Sequence, residues 1–276
     1  MIKGRIINNI SNIYFVETEN GIYECNARGK IKSTELSPVV GDIVLIEILD
    51  EENKKAIINQ IEERKNYIKR PKLANITQLI FVLSAKMPKP DLLMLDKQLA
   101  FAELLGIKSV IVINKIDLDD KAIQNIENTY SKIGYKVIKT IAKDKQGIEI
   151  VKEILKGEIS AFSGNSGVGK STLINSIFGD NTTEEGLISA KNKKGKNTTT
   201  TIKLYKLDEN TYIADTPGFS TFDISEIESK ELEEYFVEFK DKMKGGKFDW
   251  KDINAGMFLG NVLLIAYFIF LIIDKL

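Results

Sequence analysis

Two short motifs stand in an unusual order along this chain of 276 residues. The sequence Asn114-Lys115-Ile116-Asp117, of the form N-K-x-D, precedes the segment 164–171, which has the form G-x-x-x-x-G-K-[ST]. When a protein carries both motifs, the glycine-rich motif normally comes first. The fold must therefore bring the two motifs to one site in the reverse of their usual chain order.

The later motif has the composition of a phosphate-binding loop. Its glycines allow a tight turn that points backbone N–H groups at phosphates, and the following helix adds partial positive charge from its N-terminus. Lys170 would bridge the β- and γ-phosphates, and the Ser171 hydroxyl would ligate Mg²⁺. An apolar run at 159–163 predicts a buried strand before the loop, and the spacing of 171–178 predicts a helix after it, which disfavours the alternative of a simple glycine-rich turn. The predicted loop consists of Gly164, Asn165, Ser166, Gly167, Val168, Gly169, Lys170, Ser171 and Thr172.

The earlier motif suits recognition of guanine. Guanine presents N1–H and N2–H₂ donors to a single carboxylate, whereas adenine offers no such pair, so Asp117 would discriminate between the two bases. Asn114 would hydrogen-bond to another edge of the base, and the stem of Lys115 would cover the ring. Alone, the tetrapeptide is more often a solvated turn. The all-apolar strand predicted over 109–113 favours the binding interpretation, because ligands bind at the carboxyl ends of parallel strands.

A third motif, Asp215-Thr216-Pro217-Gly218, follows another short strand predicted at 212–214. Asp215 would hold Mg²⁺ through water, and the Gly218 N–H would sense the γ-phosphate. Before it lies a threonine run at 198–201, which is usually just a polar loop but here would supply Thr198 or Thr199 to Mg²⁺ when GTP is bound. Together the motifs predict a circularly permuted GTPase domain. Its predicted catalytic residues are Lys170, Thr198, Thr199, Asp215 and Gly218, and its predicted Mg²⁺ ligands are Ser171, Thr199 and Asp215.

The order N-K-x-D, G-x-S-G-V-G-K-S, K-x-T-T and D-T-P-G-F resembles the ribosome small subunit-dependent GTPase A family, up to about Phe239. The resemblance implies an N-terminal OB-fold, a permuted GTPase domain and a small C-terminal zinc domain. It implies GTP hydrolysis that is stimulated by the small ribosomal subunit during late maturation, with GTP, GDP and ribosomal RNA as partners. It also places Ala142 and Lys143 in a loop that supports guanine. The single cysteine and an N-terminus without an unbroken apolar core predict a cytoplasmic protein, and we expect a monomer.

Hydrophobic patterning predicts the domain organisation. Residues 1–68 contain short β-rich runs punctuated by glycines, which suit a small barrel, and a basic hinge from Arg64 to Arg70 ends this part. Strands alternate with helices over 69–224, which indicates an α/β domain. The segment 225–254 resembles a remnant of the zinc domain, and 255–276 is a hydrophobic tail. The single cysteine, Cys25, excludes an intramolecular disulfide.

The 39 basic and 39 acidic residues balance, so the overall charge does not indicate nucleic-acid binding. Two local surfaces suggest contact with RNA, and both are open hypotheses. Six lysines around the threonine run would neutralise RNA phosphates, or they simply solvate a loop. They are Lys191, Lys193, Lys194, Lys196, Lys203 and Lys206. In the barrel, aromatic and basic residues would stack on RNA, although core packing explains the aromatics equally well. These residues are Tyr14, Phe15, Tyr23, Arg5, Arg28 and Lys30.

The catalytic machinery predicted from sequence is sparse. Phe219 occupies the place where many GTPases have a water-orienting glutamine, Asn197 stands where the resembled family often has histidine, and no arginine follows Arg70. Because an arginine finger contributes about 10³ to 10⁵ in rate, we expect slow intrinsic turnover that depends on a partner. Two function classes stay open: a GTPase stimulated by the small subunit, and a GTP-binding switch with little turnover.

The C-terminal segment departs from the resembled family. Gly246, Trp250 and Asp252 replace the ligands of its zinc motif, so we expect no structural zinc site. The charge-free run 257–273 is at the short limit for crossing a bilayer. Three interpretations stay open: a membrane anchor, a buried helix, or the product of a broken or shifted reading frame beyond Phe239.

Overall fold

A computed structural model describes residues 1–32, 37–179 and 202–215, together with the single residue 237. The N-terminal elements are β1 (Ile2–Ile10), β2 (Ile13–Thr18), β3 (Gly21–Ala27), the one-turn helix α1 (Gly29–Lys32), β4 (Ile43–Asp50), β5 (Lys55–Ile61), β6 (Tyr67–Ile68) and β7 (Leu73–Ala74). The elements that follow are β8 (Gln78–Ser84), α2 (Leu92–Leu104), β9 (Lys108–Asn114), α3 (Asp120–Ile133), β10 (Lys136–Thr140), the 3₁₀ turn η1 (Ala142–Asp144), α4 (Ile148–Leu155), β11 (Ile159–Ser163), α5 (Lys170–Phe178), β12 (Lys203–Asp208) and β13 (Thr211–Asp215).

The first five strands close into a barrel in the order β1-β2-β3-β5-β4, with β4 pairing back onto β1. Residues alternate along each strand, so that one side chain in two points into the barrel. The interior contains Ile6, Val16, Tyr23, Ile46 and Ile58, all fully buried. Closure leaves no free edge within the ring, which confirms the expected OB-type barrel.

Burial decides between the two interpretations of the barrel aromatics. Tyr23 is fully buried and donates its hydroxyl to Glu51 at 2.9 Å, and Tyr14 is only 7% exposed. Neither ring presents a face on which a base could stack. Tyr14 and Tyr23 therefore pack the barrel core, and the RNA-stacking hypothesis for these two residues is wrong.

The second part is an α/β domain whose sheet runs β10-β9-β8-β11-β13-β12. These strands are parallel except β12, which pairs antiparallel with β13. All seven residues of β8 are buried, as expected for a central strand covered on both faces. Phe81 on β8 belongs to the cluster that contains residues of α2 and α3, and its neighbour Val82 belongs to the cluster that contains residues of α4 and α5. Helices thus cover both faces of the sheet, which confirms the predicted α/β domain.

Polar residues at the helix ends explain where two of these helices begin. The Asp91 carboxylate accepts from the Met94 N–H at 3.0 Å at the start of α2, and Asp119 accepts from Ala122 N–H at 3.1 Å at the start of α3. Each carboxylate satisfies a backbone donor that the first turn leaves unpaired. Helix α3 begins at Asp120, six residues after Asn114, which places the N-K-x-D turn between β9 and that helix.

The barrel and the α/β domain are joined by more than the connecting chain. Asn8 on β1 pairs with Lys203 on β12, so one eleven-stranded sheet runs through both parts. The predicted basic hinge is anchored at its first residue. The Arg64 guanidinium binds the fully buried Asp42 carboxylate through two bonds of 2.7 and 2.8 Å, and it also donates to the Ser37 carbonyl.

Loss of the Arg64 guanidinium should destabilise the barrel strongly. We expect Arg64→Met to lower the free energy of unfolding by about 3–5 kcal/mol, because the buried Asp42 charge loses its ionic partner and keeps only the Val39 N–H. Urea denaturation would measure the change. Arg28→Met is the matched control, since Arg28 pairs with Glu47 at 3.6 Å with both side chains more than half exposed, and such pairs contribute about 0–1 kcal/mol. Equal costs for the two variants would contradict the prediction.

Candidate nucleotide-binding site

The predicted phosphate loop connects β11 to α5, as the sequence indicated. Two of its glycines are required by their surroundings. Gly164 has φ of +148°, and a Cβ there would lie 2.2 Å from the Val82 carbonyl oxygen. Gly169 has φ of +100°, and a Cβ there would lie 2.3 Å from Nδ2 of Asn114. The loop can therefore pack this closely against β8 and β9 only with glycine at both positions.

Lys170 places its ammonium group inside the loop. Its Nζ donates to the Gly164 carbonyl and, at 3.0 Å, to the Asn165 carbonyl. Burial lowers the pKa of Lys170, because desolvation disfavours the charged form. An anionic group at the loop would relieve that penalty. Ser171 and Thr172, in the first turn of α5, are exposed on the same side of the sheet edge.

Asn114 is the polar centre of the site. It is buried, its Nδ2 donates to the Val168 carbonyl at 3.0 Å, and its Oδ1 accepts from the Thr140 hydroxyl at 3.1 Å and the Ala142 N–H at 3.0 Å. One side chain thus joins the phosphate loop to the segment after β10. We expected Asn114 to bind the base; the structure adds a positioning role, and the contact with the base stays a prediction.

Lys115 crosses over the phosphate loop. Its backbone has φ of +60°, and its Nζ donates to the carbonyls of Gly167 and Met87, both at 2.6 Å. This geometry lays the aliphatic stem beside the phosphate loop, and Asp117, two residues further along the chain, is exposed. Its predicted role, covering a purine ring, is compatible with that position. The half-buried Ile116 lies between the two, and its N–H donates to the Thr140 carbonyl at 3.4 Å.

The loop with Ala142 and Lys143 lies where the resemblance implied. It forms η1 directly after β10, the strand parallel to β9. Ala142 is buried and its carbonyl accepts from the Ser176 hydroxyl of α5 at 2.7 Å, while Lys143 is exposed. The N-K-x-D turn, this loop and the phosphate loop therefore converge at the carboxyl ends of three parallel strands.

Asp215 ends β13, which pairs in parallel with β11. Because the carboxyl ends of adjacent parallel strands meet at one sheet edge, Asp215 lies next to the phosphate loop. The other predicted residues of this group, Thr198, Thr199 and Gly218, lie outside the described residues. So do the segment 246–254 with the replaced zinc ligands and the run 257–273.

Several residues that shape the site belong to none of the sequence motifs. Thr140 orients Asn114, Ser176 holds the loop at Ala142, and the Met87 carbonyl accepts from Lys115. Pro88 lies near Gly167, with its Cδ 3.7 Å from where a Cβ would stand. Position along the chain is the signal that could have found them, because Thr140 ends β10 and the segment 85–90 follows β8, two strands whose carboxyl ends reach the site.

Across the described part of the chain, no group of three or more His, Cys, Asp or Glu side chains is placed to hold a metal ion. None of the helices described has both the length and the apolar character needed to cross a membrane.

Comparison with known proteins agrees with this geometry. Residues 61–225 match the RsgA GTPase family, and residues 3–58 match the RsgA N-terminal domain. The small ribosomal subunit biogenesis GTPase RsgA of Alkaliphilus metalliredigens is 40% identical over 90% of this chain and 85% of its own. The protein of that name from Clostridium novyi is 41% identical over 90% of this chain and 85% of its own.

Solved structures give the same result. The crystal structure of YjeQ from Thermotoga maritima is 39% identical with a TM-score of 0.75, covering 87% of this chain and 83% of that one. YloQ, described as a circularly permuted GTPase, is 30% identical with a TM-score of 0.71, covering 90% and 82%.

The fold and the site together define a P-loop GTPase with circularly permuted motifs, because the guanine-side strands β9 and β10 precede the phosphate-loop strand β11 in the chain. Within that class, the chain belongs to the RsgA GTPase family.

Proposed function

We propose that this GTPase acts in biogenesis of the small ribosomal subunit, in the cytoplasm, and that the subunit stimulates its hydrolysis of GTP during late maturation. The observation that carries the proposal is the likeness to proteins named small ribosomal subunit biogenesis GTPase, which extends over 90% of the chain and therefore includes both the barrel and the site. The domain limits proposed are 1–68, 69–224, 225–254 and 255–276.

The residues proposed for phosphate chemistry surround the loop. Lys170 neutralises the β- and γ-phosphates, the N–H groups of the loop and the start of α5 orient them, and Gly218 senses the γ-phosphate. The hard oxygens of Ser171, Asp215 and Thr199 or Thr198 suit Mg²⁺, which supplies charge neutralisation to the phosphates when bound. On the guanine side, Asp117 selects the base while Asn114 and Lys115 hold the turn against the phosphate loop.

The sequence supplies little to activate water, and this supports dependence on a partner. The chain has no histidine, and its four arginines all lie at or before Arg70, outside the phosphate-loop region. Phosphoryl transfer depends on positioning and electrostatic stabilisation, so a partner that orders the threonine run would supply what the isolated chain lacks.

Purified small subunits should stimulate hydrolysis at least ~10-fold, which is modest beside the effect of other trans-acting partners. Stimulation should fall as salt rises, because lysine contacts with RNA phosphates release counterions. Single-turnover GTP hydrolysis at several salt concentrations would measure both effects. An unchanged rate at low salt, with residues 240–276 present or removed, would overturn the proposal.

A quadruple variant tests whether the lysines near the threonine run make the RNA contact. Replacing them by alanine should remove most of the stimulation and leave GTP affinity intact; they are Lys191, Lys193, Lys194 and Lys196. A control with the same charge change replaces four exposed lysines from other parts of the surface, namely Lys121, Lys132, Lys136 and Lys156. Similar losses in both variants would indicate a general charge effect.

A further inference from the structure

The hairpin formed by β12 and β13 connects the two segments that are predicted to sense the γ-phosphate. Lys203, at the start of β12, follows the threonine run by one residue, and Asp215, at the end of β13, directly precedes Gly218 and its neighbours. Any change in either segment on GTP binding or hydrolysis therefore acts on an end of this hairpin. What holds the hairpin in place also constrains both segments.

A barrel carboxylate holds the hairpin from the side. Lys206 and Tyr212 face each other across β12 and β13, and Glu17 on β2 binds both. Its Oε1 accepts from the Lys206 ammonium at 2.9 Å, and its Oε2 accepts from the Tyr212 hydroxyl. Glu17 therefore connects the barrel to both strands of the hairpin, at positions 189 and 195 residues further along the chain.

A second barrel residue completes a four-residue junction. Arg5 is the cross-strand partner of Glu17, and its guanidinium lies 5.9 Å from the centre of the Tyr212 ring. Arg5 also donates to the Gly41 carbonyl at 3.2 Å, which accepts a second bond from Asn75 at 3.1 Å. We call Arg5, Glu17, Lys206 and Tyr212 the barrel–hairpin junction. It binds the hairpin directly, and it reaches the start of the α/β domain only through the Gly41 carbonyl that Arg5 shares with Asn75.

The residues of the barrel–hairpin junction are partly shielded from water, which strengthens the electrostatic interactions between them. Tyr212 is 8% exposed and the Glu17 side chain 18% exposed, whereas Lys206 is half exposed. Burial raises the pKa of Tyr212 and the nearby Glu17 carboxylate adds to this effect, so the phenol stays a neutral donor. Desolvation lowers the pKa of Arg5. Hydrogen bonds to charged groups in such partly buried positions are stronger than exposed ion pairs.

We propose that Glu17 is a positioning residue that couples the barrel to the nucleotide-sensing segments through the β12–β13 hairpin. With GTP bound, the hairpin is held in one position and the barrel is oriented for the small subunit; after hydrolysis the hairpin relaxes and the barrel contact weakens. Coupling between two sites is reciprocal, so a bound subunit must favour the GTP-bound position of the hairpin by the same factor. The inference rests on the proposed function, because it needs the subunit as the barrel's partner.

The test is the ratio of subunit dissociation constants measured with GDP and with a non-hydrolysable GTP analogue, for the full chain. Glu17→Gln keeps the size of the side chain but removes its charge. We expect it to reduce the ratio at least ~5-fold, the lower end of common allosteric couplings, while GDP affinity and the thermal midpoint of unfolding stay close to those of the unmodified protein. Glu62→Gln is the matched control, since Glu62 pairs with Lys3 at 2.7 Å on the barrel, and neither residue belongs to the junction.

Exchanging the charges of Glu17 and Lys206 tests whether the effect depends on their ion pair or only on how the side chains pack. Lys206→Glu alone should reduce the ratio as Glu17→Gln does, and the double variant Glu17→Lys with Lys206→Glu should restore at least part of it. One outcome would overturn the inference and spare the proposed function. In it, the unmodified protein binds the subunit with different dissociation constants in the presence of GDP and of the GTP analogue, and Glu17→Gln leaves their ratio unchanged. Failure of the exchange to restore the ratio also overturns it. If the unmodified protein shows neither discrimination nor stimulation, the proposed function fails and the inference fails with it.

Discussion

Lys170→Ala is expected to reduce the rate of GTP hydrolysis at least ~100-fold, the size of effect seen when one preorganised electrostatic group is removed from an active site. The Lys170 ammonium is half-buried inside the phosphate loop, where it donates to the carbonyls of Gly164 and Asn165. It is thus already positioned for the phosphates. Single-turnover hydrolysis at saturating GTP would measure the loss directly.

The control for this variant is Lys132→Ala, at an exposed lysine in the last turn of α3. It should leave the rate unchanged. Ser171→Ala should also lose hydrolysis, and raising Mg²⁺ should recover part of its activity, because a hydroxyl ligand is removed rather than a phosphate contact. Normal turnover in Lys170→Ala would mean that the glycine loop has only a structural role.

Much of the fold could be predicted because local patterns and global structure agree. The apolar runs at 109–113 and 159–163 became the strands β9 and β11, and the helix predicted over 171–178 is observed as α5 over Lys170–Phe178. The glycine spacing of the phosphate loop likewise predicted its place between β11 and α5. Each of these signals lies within about ten residues of sequence, where strand period, helix period and turn chemistry are decisive.

What could not be predicted depends on contacts between distant segments. Nothing near Asn114 indicates that its amide joins Val168 to Ala142, and nothing near Glu17 indicates that it binds Lys206. The location of the barrel tyrosines also depends on contacts between distant segments. Tyr14 and Tyr23 have the composition of a nucleic-acid-binding face, and only their place in the closed barrel shows that they are core residues.

Asp117→Ala is expected to remove the preference for guanine nucleotides, which in the unmodified protein should be at least ~100-fold over adenine nucleotides. Asp117 is exposed in the turn between β9 and α3, the turn from which the Lys115 side chain crosses to the phosphate loop. A carboxylate there accepts from the two donors of guanine and is left unpaired by adenine. Competition of GTP, GDP and ATP for the site would measure the ratio, and equal binding by the unmodified protein would overturn the assignment.

Asp117→Asn gives a sharper result than truncation, because it should exchange one specificity for another. Xanthine has a carbonyl where guanine has the N2–H₂ group, so an amide at this position would pair with xanthine and lose a bond to guanine. We therefore expect this variant to bind xanthosine triphosphate more tightly than GTP. Asp119→Asn is the matched control two residues away: Asp119 caps α3 through Ala122, and asparagine caps equally well. That control should keep the preference for GTP, whereas a gain of xanthosine triphosphate binding in both variants would mean that Asp117 does not read the base.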